Sequence, residues 1–291
     1  MKLSKINLLA LVSLGLVISC TNETLEQLDN QIYDIHEVSY NNSEQFLGKL
    51  VSGKSGNSDC SFDYEGEEGP EYWAGLCGDE WTACNGQSQS PVNINTRTVS
   101  NNDDIGEINI SYRPTFASIY NNGHTIQFNY RSGSYSSMGG KTYELLQFHF
   151  HTGSEHTIND QRYPMEVHLV HRDISTDSLA VIGIIFNEGR SNRLLQKYLN
   201  NLPSSKGEYY VNDTSYLNAT DFLPDNEELE DFYTYKGSLT TPGCAEIVTW
   251  FVLKNQISAS AEQINKMKNI MKHNYRPVQN LNDRAIVSSE D

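Results

Sequence analysis

Along the body of the chain, apolar and polar positions alternate more often than they recur at helical spacing. Residues 141–151 read as a strand rich in aromatic and aliphatic side chains, and residues 163–171 alternate in the same way. Residues 179–186 form a nearly continuous apolar run, as expected of a strand covered on both faces. A further strand is expected over 246–253. Helical periodicity stands out twice. One stretch is 191–200. The other opens with the capping-box sequence Ser260-x-x-Gln263 and carries Ile264, Met267, Ile270 and Met271 on one face. Strands joined by short turns, such as Asn121-Asn122-Gly123, predict a mainly β, largely antiparallel sheet with peripheral helices, in one domain.

The 291 residues are 37% hydrophobic and 20% charged, enough to bury a sizeable core. Asp and Glu number 37 against 21 Lys and Arg, a formal net charge of -16. This balance argues against nucleic-acid binding, which needs a basic face to neutralise phosphates. It also argues against a polybasic grip on anionic lipid. No internal repeat is visible.

The N-terminus reads as an address. Lys2 and Lys5 precede an apolar run over 8–18, shorter than the roughly 20 residues of a membrane span. Residues 1–19 are therefore expected to be a signal peptide. The run ends Ser19-Cys20, which resembles the lipobox of bacterial lipoproteins. An ordinary signal peptide that happens to contain a cysteine is the weaker reading. The lipobox implies acylation of Cys20 and export. The protein is then expected to be lipid-anchored to a bacterial membrane, on the periplasmic face or the cell surface. Residues 20–59, polar and acidic, are expected to be a tether carrying at most a short helix over 25–32, with 60–291 as the folded domain. Setting Cys20 aside leaves an even four cysteines, Cys60, Cys77, Cys84 and Cys244. In an oxidising compartment they favour two disulfides, with three possible connectivities. A four-cysteine zinc site is the rival, though no C-x-x-C pair exists.

The chemistry lies in the eight histidines. Residues two apart on a strand share a face, so His149 and His151 point one way and Phe148 and Phe150 the other. Glu166, His168 and Val170 share a face of the next expected strand. If the two strands are neighbours, three imidazoles converge, which is the catalytic zinc pattern with a fourth position open. Gln147 and Glu166 share these faces and are expected to orient the ligands. His171, an odd step from His168, reads as a core histidine. His156, after a turn, reads as a hydrogen-bonded structural one, and His36 and His273 as solvated.

Read in order, Gln147-Phe148-His149-Phe150-His151, Ser154-Glu155-His156-Thr157, Glu166-Val167-His168-Leu169-Val170-His171 and Gly237-Ser238-Leu239-Thr240-Thr241-Pro242 with Cys244 closely resemble the α-class carbonic anhydrases. So do Tyr64, Gly69-Pro70-Glu71-Tyr72-Trp73, Gln89-Ser90-Pro91-Val92, Asn121-Asn122-Gly123-His124, Val248-Thr249-Trp250 and Asn274-Tyr275-Arg276-Pro277. The resemblance covers about residues 60–291. It implies a large twisted, mostly antiparallel central sheet with Zn2+ held by His149, His151 and His168 at the base of a conical cleft. The implied reaction is reversible hydration of carbon dioxide to bicarbonate and a proton, by attack of zinc hydroxide, with a weak esterase side activity.

By motif, Thr240 and Glu155 are implied to orient the attacking oxygen and Thr241 to contact bicarbonate. Val170, Val181, Leu239 and Trp250 are implied to form the apolar CO2 pocket. His124 is implied to carry the proton out along water ordered by Tyr64 and Asn122. Cys84 is implied to pair with Cys244, leaving Cys60 with Cys77. Phe62, Thr152, Gly243 and Tyr275 depart from the commonest residues, Trp, Trp, Pro and Trp. The sequence leaves the oligomeric state open between monomer and dimer. The alternative is a catalytically silent, carbonic-anhydrase-like binding module on the cell surface. Such modules typically lose a zinc histidine, and this chain keeps all three.

Replacing Cys20 by Ser is expected to move the protein from the membrane to the soluble fraction on cell fractionation, or to block its maturation. Wild-type protein that is already soluble after lysis would contradict the lipobox.

Overall fold

The computed structural model describes residues 60–289, apart from 103–104, 177 and 225–228. The expected signal peptide and tether, with Cys20, His36 and the short helix, lie outside the described residues. Fifteen strands are formed, β1 (Asn93–Ile94), β2 (Ser100–Asn101), β3 (Asn109–Ser111), β4 (Thr115–Asn121), β5 (Ile126–Asn129), β6 (Tyr135–Met138), β7 (Lys141–Thr152), β8 (Thr157–Ile158), β9 (Met165–Asp173), β10 (Leu179–Glu188), β11 (Tyr209–Leu217), β12 (Phe232–Gly237), β13 (Val248–Leu253), β14 (Ile257–Ala259) and β15 (Val287–Ser288). Among the described residues three α-helices accompany these fifteen strands, α1 (Trp73–Leu76), α2 (Arg193–Tyr198) and α3 (Ala261–Met271).

Thirteen strands make one sheet, whose main path runs β11-β4-β5-β7-β9-β10-β13-β12-β15-β2. Its pairings are antiparallel except where β10 meets β13 and β14 and where β15 meets β2. The expected largely antiparallel sheet is thus observed, with a parallel step beside the site strands. β1 and β8 pair separately.

The two faces of the sheet have different tasks. One face packs Phe128, Phe148, Phe150, Leu169, Ile182 and Phe186 against Leu195, Tyr198 and Met267 of the helices. Each such fully buried aromatic or aliphatic side chain contributes about 1.5–3 kcal/mol. His171 lies on this side, as the odd step predicted, with Tyr112 Oη 2.5 Å from its Nε2, and burial lowers its pKa to about 4. The other face carries His149, His151 and His168.

A β-bulge in β7 makes this division possible. Leu145 pairs with His171, but the next partners are Gln147 with Val170, so Leu146 is the extra residue. Tyr143 and Leu145 point into the same core as Phe148 and Phe150, a spacing of two, three, two. The bulge shifts the parity of the strand, so that Gln147 turns toward the histidines while Leu145 stays in the core. Plain alternation, the sequence-based expectation for 141–151, misses this step.

The helices start where their caps dictate. Asn192 Oδ1 accepts from Leu194 N and Leu195 N, both at 3.1 Å, which starts α2 two residues later than expected. The capping box of α3 is formed as expected. Its Gln263 is fully buried and also bonds Asn192, accepting from the backbone N and donating to the carbonyl, both at 2.8 Å. One side chain thereby ties together the starts of both helices.

Both expected disulfides are present. Cys60–Cys77 closes a separation of 17 residues and Cys84–Cys244 one of 160. They lie in a small cluster with Tyr64, Trp73 and Trp81. The longer bond holds the segment that carries Thr240. Replacing Cys84 and Cys244 together by Ala should lower unfolding stability by about 2–5 kcal/mol in urea titration. An unchanged midpoint would show that hydrogen bonds alone hold this loop.

Candidate metal centre and active site

β7 and β9 are neighbours, and the register sets His149 opposite His168 and His151 opposite Glu166. The condition set by the sequence is met. The candidate donor nitrogens of His149, His151 and His168 lie within 4.8 Å of one another. Ring centroids are 5.2 Å apart for His149 and His151, 5.3 Å for His149 and His168, and 4.6 Å for His151 and His168.

Hydrogen bonds decide which nitrogen of each ring faces the centre. His149 Nδ1 lies 2.8 Å from Gln147 Oε1. His151 Nδ1 lies 2.6 Å from the carbonyl of Asn274. His168 Nε2 lies 2.9 Å from Glu166 Oε1. All three partners are acceptors, so these ring nitrogens carry the protons. The lone pairs left over are Nε2 of His149, Nε2 of His151 and Nδ1 of His168. His151 Nε2 is buried and meets no hydrogen-bond partner among the described residues. A buried, orphaned lone pair among convergent neutral imidazoles fits a zinc ion. Burial lowers the pKa of all three rings, to about 4 for His151, and keeps them in the neutral form that ligates.

Glu166 orients more than one ring. Its Oε1 also accepts from His156 Nδ1 at 2.8 Å, and its Oε2 accepts from His156 N at 2.9 Å. Burial raises its pKa, but His156 and His168 beside it bring it well below the usual carboxylate range. His156 is the hydrogen-bonded residue that the sequence suggested. Its Nε2 is 2.7 Å from Tyr235 Oη, which is 3.0 Å from Ser90 Oγ. Ser90 Oγ accepts from Ser238 N at 3.1 Å, and Ser238 Oγ accepts from Ser90 N at 2.9 Å. A buried polar chain thus runs from His168 to the loop of Thr240.

Thr240 stands beside the carboxyl group of Glu155, a fully buried residue whose Oε1 accepts from Arg276 N at 2.8 Å. Burial raises the pKa of Glu155, while His168, Arg276 N and Thr240 oppose the rise. Its Oε2 is 3.6 Å from His151 Nε2 and 3.9 Å from His168 Nδ1, too long for hydrogen bonds, and has no partner among the described residues. The loop itself is closed by Leu239 N to Ala245 O and Cys244 N to Thr241 O, at 3.1 and 3.0 Å. Gly243 has φ +91, a conformation that the more frequent proline cannot adopt. Val170, Val181 and Trp250 are direct partners across β9, β10 and β13, and Leu239 packs against their cluster. They form an apolar wall on the face that carries His168.

His124 is half-buried at the end of the β4–β5 hairpin. Its ring stacks on Phe62, with centroids 3.9 Å apart and planes at 12°. Burial and Lys206 lower its pKa, and Asp63 opposes them. Tyr64 is buried in the adjoining cluster. Asn122 Oδ1 accepts from His124 N and Thr125 N at 2.9 and 2.8 Å, so its carbonyl shapes the hairpin. His273, expected to be solvated, is 2.7 Å from Glu65 Oε1 through its Nδ1.

Sequence reasoning gave Asn274 no role. Its carbonyl holds His151, its Oδ1 accepts from Thr152 N at 2.8 Å, and its Nδ2 donates to the carbonyls of Phe150 and His124 at 2.9 and 3.0 Å. A backbone contact from a distant segment leaves no periodic signal in the sequence.

Comparison with known proteins agrees with this geometry. The profile of the eukaryotic-type carbonic anhydrase family matches residues 68–290. A carbonic anhydrase of Nostoc sp. is 40% identical over 230 residues, covering 78% of this chain and 85% of that protein. One of Neisseria gonorrhoeae is 38% identical over 227 residues, covering 77% and 86%. The solved structure of the α-carbonic anhydrase from Thermovibrio ammonificans, in complex with the inhibitor sulfanilamide, matches with a TM-score of 0.74 and 36% identity, covering 79% of this chain and all of that one. With the matched residues spanning β1 to β15 and including all three convergent histidines, the chain belongs to the eukaryotic-type, or α-class, carbonic anhydrase family.

Proposed function

We propose that the protein is a zinc carbonic anhydrase catalysing reversible hydration of CO2 to bicarbonate and a proton. The observation that carries this reading is the convergence of three neutral imidazole lone pairs beside an apolar wall and the Thr240–Glu155 pair. His149, His151 and His168 would hold the metal. As in carbonic anhydrases generally, zinc brings the pKa of its water to about 7 and so supplies hydroxide at neutral pH.

This chain's residues do the rest. Glu155 takes the hydrogen bond of the Thr240 hydroxyl and leaves the lone pairs of that oxygen as acceptors. Thr240 therefore admits a donor and disfavours groups that cannot donate a proton. CO2 has no dipole, and the wall of Val170, Val181, Leu239 and Trp250 offers it an apolar seat, with Thr241 near for bicarbonate. His124, whose lowered pKa leaves it neutral at pH 7, accepts the outgoing proton and releases it to buffer. Tyr64 and Asn122 flank that route and order its water. A silent module would have no use for three convergent imidazole donors, and this chain keeps all three, so the enzyme is favoured. Weak ester hydrolysis is a side reaction of the same centre. Export and a lipid anchor at Cys20 remain part of the proposal, supported by the sequence of the first twenty residues.

The experiment that tests the function is stopped-flow CO2 hydration with zinc quantified in the same sample. His151→Ala should lose both stoichiometric zinc and activity, and a variant that keeps both would overturn the ligand assignment. His124→Ala should leave zinc content and kcat/KM nearly unchanged while kcat at high CO2 falls about 10-fold or more. Added imidazole should restore part of the loss. An unchanged kcat with no response to imidazole would contradict the relay.

A further inference from the structure

We propose that Gly183 is a positioning residue for the metal centre, and that its contribution is the space its missing side chain leaves for Glu166. The inference rests on the zinc site proposed above. Gly183 sits in the middle of β10, where every residue from Leu179 to Phe186 is buried. A glycine there gives up packing and adds backbone entropy to the unfolded chain, so it needs a reason. Backbone conformation is not the reason, because Gly183 is not among the glycines with positive φ.

The reason is steric. Gly183 pairs directly with His168 across β9 and β10. A Cβ at position 183 would lie 2.9 Å from Glu166 Oε1, with Val252 Cγ2 at 3.6 Å and Trp250 Cζ3 at 3.8 Å closing the other sides. The end of a glutamate can often swing aside. This one is pinned, since the same Oε1 accepts from His156 Nδ1 at 2.8 Å and His168 Nε2 at 2.9 Å, and Oε2 accepts from His156 N at 2.9 Å. Glu166 is fully buried, so no solvent replaces a lost bond. A methyl group at 183 therefore forces Glu166 to withdraw. His168 then loses the acceptor that keeps its Nδ1 lone pair aimed at the metal.

The test is the rate at which zinc passes from the purified holoenzyme to excess chelator, with four proteins compared: wild type, Gly183→Ala, Glu166→Ala and the double variant. Gly183→Ala should speed zinc loss about 10- to 100-fold, the range for removing an outer hydrogen-bond partner of a metal ligand. In the Glu166→Ala background the same change should alter the rate by less than about 2-fold, because the atom it collides with is gone. A wild-type rate in Gly183→Ala overturns the inference. So does equal acceleration in both backgrounds, which would mean a general loosening of β10. If Gly183→Ala alone does not fold, a folded double variant with the rate of Glu166→Ala supports the inference. A double variant that fails to fold where Glu166→Ala folds overturns it. A wild-type protein that takes up no zinc overturns the metal centre itself, whereas the other adverse results overturn the role of Gly183 alone.

Discussion

Each of the three convergent imidazoles has one nitrogen committed to a buried oxygen that can only accept. Gln147 Oε1, the Asn274 carbonyl and the Glu166 carboxylate fix the tautomers, and the tautomers fix which lone pairs meet. Rotating any ring would turn an N–H toward the other two and strand an acceptor in the interior. The same hydrogen bonds leave His151 Nε2 buried with no partner among the described residues, a cost of about 1–3 kcal/mol for a buried polar atom that a bound cation would offset.

The surrounding fold supplies the acceptors in the right places. The bulge in β7 turns Gln147 toward the site while Leu145 remains in the core. The last segment of the chain delivers Asn274 to His151 and Arg276 N to Glu155. Gly183 leaves room for Glu166. From Glu166 a buried chain through His156, Tyr235 and Ser90 reaches Ser238, two residues before Thr240. The Cys84–Cys244 bond holds the same loop from its other side. Ligand orientation and oxygen orientation are therefore parts of one buried polar framework.

Much of this was legible in the sequence because it depends on period and local chemistry. Two-residue spacing put His149 with His151 and separated His168 from His171. The capping box of α3 and the run of β10 are local signals as well. The resemblance to a known family added what spacing alone could not, namely the disulfide pairing and the partnership of Thr240 with Glu155. What escaped was non-local or subtractive. The bulge at Leu146 shows only as a change of step among core positions. Asn274 acts through a backbone carbonyl some 120 residues from its partner. Gly183 acts by lacking atoms, and nothing in a strand of aliphatic residues announces a carboxylate packed against it. α2 ends at Tyr198, short of the expected 200, where Asn201 N turns back to the Tyr198 carbonyl.

The central claim is that this scaffold presents three imidazole nitrogens, and no other protein donor, to one zinc ion. X-ray absorption at the zinc edge of the loaded protein tests it directly. The account predicts three imidazole nitrogens at about 2.0–2.1 Å with a fourth position filled by a light, non-imidazole atom from solvent. A sulfur ligand, a carboxylate from Glu155 in the inner sphere, or fewer than three imidazoles would contradict it.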